Sequence, residues 1–103
     1  MKYILRGNDI PVTWNLKDYS TWEPISVPQS ASSFYVYSND LRVKIDDFTI
    51  TDSVLTSTIA GNLLPSGKYT LELIWNNNGR GRTVYTGAFG VVENGEDADK
   101  VEV

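Results

Sequence analysis

Cysteine and histidine are both missing from this chain of 103 residues. Their absence excludes Ser-His and Cys-His nucleophilic systems, thiolate metal sites and disulfides, and it removes the commonest transition-metal ligands. The fold therefore cannot depend on an oxidising compartment. Positive charge is also scarce: nine Lys and Arg stand against thirteen Asp and Glu, a net charge of −4. Nucleic-acid binding draws most of its affinity from clustered cations, so no nucleic-acid partner is expected. No stretch approaches the roughly 18 apolar residues of a membrane helix, so no membrane partner is expected either. The opening Met1-Lys2-Tyr3-Ile4-Leu5 reaches Arg6 after three apolar residues, far short of a secretory h-region. With Met1 as the native start, the chain is not expected to be secreted. Apolar spacing of 3.6 residues is missing throughout, which leaves little or no room for helix.

What remains is β-strand pattern. Apolar residues make up 41% and aromatics 12%, enough for a folded globule, and the length suits one domain. The clearest signal is Leu64-Pro65-Ser66-Gly67-Lys68-Tyr69-Thr70-Leu71-Glu72-Leu73-Ile74-Trp75. There a Pro-Gly turn leads through a tyrosine into strict alternation. In immunoglobulin-like domains such a tyrosine turns its hydroxyl back to the preceding loop while its ring enters the core. Tyr69, Leu71, Leu73 and Trp75 share that inward stripe.

Further strands are expected at Tyr3 to Leu5 and at Ile10 to Leu16, the second with Pro11 and hence placed at an edge. Phe34 to Tyr37 and Leu41 to Ile45 read as a hairpin closed by Ser38-Asn39-Asp40. A bulge or turn at Asp46-Asp47 resets the phase before Phe48 and Ile50. Val54 to Ala60, Lys68 to Asn76 and Thr83 to Val92 complete the series, with a Gly- and Asn-rich loop at Asn76 to Arg82. Between Lys17 and Ser33 the periodicity lapses over about seventeen residues, a length that favours a functional loop or a hidden strand at Ile25 to Val27. The expected fold is an all-β, immunoglobulin-like antiparallel β-sandwich of about seven strands over residues 1–92. Residues 93–103 carry five of the thirteen carboxylates and read as an acidic tail or linker, frayed unless Val101 and Val103 pair as an edge strand.

Chemistry is sparse. Asp46 and Asp47 are adjacent, and neighbouring strand residues point to opposite faces, so they fit poorly as an acid-base pair. The acidic run Glu96-Asp97-Ala98-Asp99 lacks the glycine and distal glutamate of a calcium loop, so no metal and no cofactor is assigned. No enzymatic activity is expected. The candidate contact residues are aromatic and cationic. Tyr19 and Trp22 lie in the long loop, Tyr35 and Tyr37 on the outward side of a strand, and Arg80 and Arg82 in the Gly-rich loop, where guanidinium forks suit carboxylates or phosphates. Aromatic groups of this kind serve as cross-strand packing, as interface cores or as platforms for sugar rings.

The order of these features resembles the small immunoglobulin-like N-terminal modules of phage and prophage upper baseplate and tail proteins. The resemblance rests on the Arg6-Gly7-Asn8-Asp9 turn before the strand at Ile10, on Leu64 to Leu73 in the pattern L-x-x-G-x-Y-x-L-x-L, and on Gly87-Ala88-Phe89-Gly90-Val91-Val92-Glu93 followed by an acidic run. It covers about ninety residues. It implies a non-catalytic structural or adaptor module, built into a virion tail by contacts with itself or with other tail subunits and assembled in the bacterial cytoplasm. The alternative from the residues alone is a glycan-binding accessory sandwich that uses the same tryptophan and tyrosines.

Overall fold

The protein was described from a computed structural model, which covers residues 2–77, 80–81, 84, 86–94 and 100–103. Among these residues it is all β apart from one 3-10 turn at Gln29–Ala31. The strands are β1 (Lys2–Leu5), β2 (Ile10–Asn15), β3 (Ser32–Tyr37), β4 (Arg42–Ile45), β5 (Phe48–Thr51), β6 (Val54–Ile59), β7 (Gly67–Asn77), β8 (Arg80–Gly81), β9 (Ala88–Val92) and β10 (Val101–Glu102). One sheet has the order β1-β9-β7-β3-β4, with β8 paired to the end of β7, and the other has the order β10-β2-β6-β5. Grouping β2, β6 and β5 opposite β9, β7 and β3 is the immunoglobulin arrangement.

Alternation builds both inner faces. Val12 and Trp14 of β2, Phe34 and Val36 of β3, Leu55 and Ile59 of β6, Leu71 and Leu73 of β7, and Phe89 and Val91 of β9 are all buried. Their neighbours in sequence point outward, as period two requires. Phe34 links the layers, with its ring centroid 6.2 Å from Trp14 and 5.8 Å edge-on from Phe48. At the other end Tyr69 stacks on Phe89 at 5.8 Å. The Tyr69 hydroxyl donates back to the Pro65 carbonyl four residues earlier, as the turn-tyrosine pattern predicted.

Several expectations are corrected at the edges. The sheets are mixed: β1 runs parallel to β9 and β10 parallel to β2, and the described strands outnumber the expected seven or so. Both parallel pairings involve short terminal segments: β1 falls where a strand was expected at Tyr3 to Leu5, and β10 takes the edge-strand alternative given for Val101 and Val103. β2 is not an edge strand over its whole length, because β10 pairs with Val12 and Thr13, and Ile10 and Pro11 lie beyond that cover. Residues 101–103 join the sandwich through this pairing, and Val101 is fully buried. Ile25 to Val27 forms no strand. Both apolar residues are buried and Ile25 N–H donates to the Leu16 carbonyl at 3.0 Å, but Pro24 and Pro28 bracket them without donors for a ladder. Asp46 and Asp47 form the exposed step by which the chain leaves β4 in one sheet for β5 in the other.

Candidate functional site

The long connection between β2 and β3 is an ordered hairpin. Lys17 bridges Pro24, Asp18 N–H donates to the Glu23 carbonyl at 2.9 Å, and Trp22 N–H donates to the Asp18 carbonyl at 2.8 Å. One carboxylate oxygen of Asp18 accepts from Ser20 N–H at 2.9 Å, the Ser20 hydroxyl at 2.7 Å and Thr21 N–H at 3.2 Å. An aspartate at the head of a turn favours this because its side chain replaces backbone acceptors. The base is fixed by the buried Ile25 and Val27 and by the bridge from Asp18 to Val84, which sets the hairpin against the segment returning from β8.

Two large rings stand on this hairpin, Tyr19 at 65% exposure and Trp22 at 53%. Trp22 adopts φ of 63°, in the left-handed region that bulky side chains avoid. Lys17 Nζ lies 5.1 Å from the centroid of its ring, within cation-π range.

Tyr35 and Tyr37 occupy a different element, the outer face of β3, and both are half-buried. Register explains why. Tyr37 pairs with Arg42 on one side, while Tyr35 pairs with Lys44 on β4 and Glu72 on β7. Arg42 reaches diagonally across β3 to Glu72, an ion pair of 2.7 Å, and its guanidinium lies 3.9 Å from the centre of the Tyr35 ring. The sequence-predicted aromatics therefore fall on two surfaces, a hairpin tip and a cation-covered sheet face. Arg80 is paired in the backbone ladder with Asn77, and Arg82 lies outside the described residues.

Sequence reasoning missed three features. Tyr3 lies exposed on the sheet face with its ring against Gly90, where an added Cβ would come within 2.8 Å of it. Gln29 caps the outer edge of β5, its amide nitrogen donating to the Phe48 carbonyl at 2.8 Å and its amide oxygen accepting from Ile50 N–H at 3.1 Å. Gly87 forms the floor beneath Val103. The small size of Gly87 and Gly90 was the visible signal for two of them; no pattern marks Gln29.

Among the described residues, groups suited to acid-base work are not gathered. Across the outer face of β2, β6 and β5 runs an open dent lined by Pro11, Thr13, Thr49, Thr56 and Thr58, with Asp47 as its one carboxylate. Among the described residues no three carboxylates come together as a metal site, and no helix is long and apolar enough to cross a membrane. Among the described residues, Tyr69 and Glu93 have displaced proton affinities. Burial raises the Tyr69 hydroxyl above its usual value, opposed by the charge of Arg6. Glu93 is held below the usual carboxylate range by hydrogen bonds from Ser66 at 2.7 Å and Arg6 at 2.9 Å, which tie the end of β9 to the end of β1 and the turn before β7. Both are structural fastenings.

No protein-family model, curated protein or solved structure matches the chain.

Proposed function

We propose that the chain is a non-catalytic docking module, a structural or adaptor component of a phage or prophage tail, that acts through protein-protein contacts at the hairpin carrying Tyr19 and Trp22. The observation that carries this reading is Trp22, a large apolar ring half in solvent and held at φ of 63°. A left-handed conformation costs a residue with a Cβ about 1 kcal/mol, and strain of this kind gathers where a side chain must be presented. Aromatics on a preorganised hairpin supply large contact area with little ordering to be done on binding. The location in a virion tail rests on the baseplate resemblance.

The glycan reading uses the same rings but needs open faces for stacking. Arg42 covers Tyr35 and Lys17 stands over Trp22. A protein partner tolerates such cations, because it brings carboxylates and carbonyls to meet them.

Light scattering coupled to size-exclusion chromatography, over a concentration series at low and moderate salt, tests the proposal. A discrete oligomer that Trp22→Ser dissolves while the fold persists supports contact through the hairpin. A monomer at every concentration, with tryptophan fluorescence quenched saturably by polysaccharide, would replace it with the glycan-binding reading.

A further inference from the structure

The sheet edges differ in how they end, and that difference carries an inference independent of the aromatic hairpin. In one sheet the Gln29 amide caps the outer edge of β5, and residues 101–103 lie along β2. In the other, the Leu5 carbonyl at the β1 edge accepts from Asn8 N–H at 3.2 Å. The remaining edge is β4, which pairs with β3 alone.

The hairpin fixes which backbone groups of β4 are left over. Ser38 N–H donates to the Leu41 carbonyl at 2.7 Å, so the alternation of an antiparallel ladder makes Val36 with Val43 and Phe34 with Ile45 the next hydrogen-bonded pairs. Arg42 and Lys44 therefore turn their N–H and carbonyl groups away from β3. Among the described residues no hydrogen bond reaches those backbone groups. The side chains of Arg42 and Lys44 stand exposed on the outer face, two cations at one edge of a chain whose net charge is −4. Arg42 gives one nitrogen to Glu72 and keeps further donors, and among the described residues no ion pair engages Lys44. Leu41 and Val43 point the other way, packed on the core yet only half-buried at this edge.

Charge selects the occupant. A second copy of β4, antiparallel and centred on Val43, would set Arg42 opposite Lys44 in both halves, and like charges directly opposed destabilise a strand pair. Cations that deter self-pairing at an open edge attract a strand of the opposite sign. Alternation defines that strand: two carboxylates roughly 6.5 Å apart opposite Arg42 and Lys44, with one apolar residue between them facing the core opposite Val43. The molecule's remaining negative charge is screened beyond about 8 Å at physiological salt, whereas these pairs meet in contact.

We propose that the open edge of β4 docks an extended acidic segment of a partner protein, in which two carboxylates alternate about one apolar residue and the backbone adds to the sheet as a further strand.

A short capped peptide with Glu-Val-Glu at its centre, titrated into the full chain carrying Trp22→Ser, tests this without the hairpin contact. Amide exchange read by NMR locates the site: Arg42 and Lys44 N–H should exchange rapidly in the free protein and slow about tenfold or more at saturation, while Val43 N–H is slow throughout. Glutamines in place of the glutamates should weaken binding about tenfold or more, as should Lys44→Glu, and a peptide with lysines there should bind Lys44→Glu in their stead. Lys44→Pro removes one outward N–H and spares the ladder to β3, so it should abolish binding that Lys44→Ala only weakens, with melting curves confirming that both variants are folded. No binding at millimolar peptide overturns the proposal. Equal binding by Lys44→Ala and Lys44→Pro overturns strand addition, and protection confined to amides outside β4 overturns the site. Slowing of Arg42 and Lys44 exchange with protein concentration alone would put a second copy in place of the acidic partner. Because Trp22 is replaced throughout, these outcomes stand apart from the hairpin reading.

Discussion

Replacing Tyr69 with phenylalanine isolates one hydrogen bond and one titration in the same variant. The ring is almost fully buried and stacks on Phe89, so Tyr69→Phe keeps the packing and removes the hydroxyl that donates to the Pro65 carbonyl. A bond of this type contributes about 0.5–1.5 kcal/mol net. For a domain of this size each kcal/mol moves the melting temperature by roughly 4–8 °C, so a fall of several degrees is expected at neutral pH. The pH dependence supplies the second half. Burial raises the folded-state pKa of Tyr69 above the ordinary value of 10.0. The stabilisation from a raised pKa is complete below the unfolded value and is lost as pH rises through the folded one. Phenylalanine does not titrate, so melts recorded from pH 7 into the alkaline range should show the gap between parent and variant narrowing above pH 10. A melting temperature unchanged at pH 7, or a gap that stays constant across the alkaline range, would refute the account of this corner.

Substitutions at four further positions probe other parts of the molecule. At Trp22, glycine removes the left-handed strain that alanine retains, so in urea melts Trp22→Gly should be more stable than Trp22→Ala by roughly 0.5–1 kcal/mol, with both losing association; equal stabilities would show that φ of 63° carries no strain. Gln29→Ala strips the cap from β5, which should cost about 1 kcal/mol in chemical denaturation and raise light scattering on storage, as an uncovered edge strand recruits other strands. Gly61→Ala sets a Cβ 2.4 Å from the backbone of Asn8, which cannot swing aside, and should lower global stability by roughly 1–3 kcal/mol. Gly87→Ala sets a Cβ 2.4–3.0 Å from both methyls and the Cβ of Val103, so Val103 must shift, and faster amide exchange at Val103 and Asn15 with a modest fall in melting temperature is expected.

These variants also divide what was legible in the sequence from what was not. The core strands were readable because period two is a local property. Ile10 to Leu16, Phe34 to Tyr37 and Tyr69 to Trp75 each alternate over enough residues to define one inward face, and the turn before Tyr69 announces its corner. β10 is two residues long and β1 four, so their patterns mark strands at Tyr3 to Leu5 and at Val101 without fixing a partner or a direction. Their places depend on partners distant in sequence, Val12 and Thr13 for the first and the closing strand for the second. The candidate site divides the same way. That Tyr35 and Tyr37 face outward followed from alternation, but the cover over Tyr35 depends on a diagonal reach from Arg42 across β3 to Glu72, thirty residues further on. Trp22 lies in the loop where its lapse of periodicity sets it, yet nothing about tryptophan foretells a positive φ, which occurs at the end of a turn that Asp18 holds through Ser20 and Thr21. The same physical difference explains why fold was easier to read than function. A core residue needs only to be apolar and in phase, and many sequences satisfy that. An edge, a cap or a presented ring depends on a single fit, such as the Gln29 amide on β5 or Val103 over Gly87, and the surfaces through which this chain meets others are made of such fits.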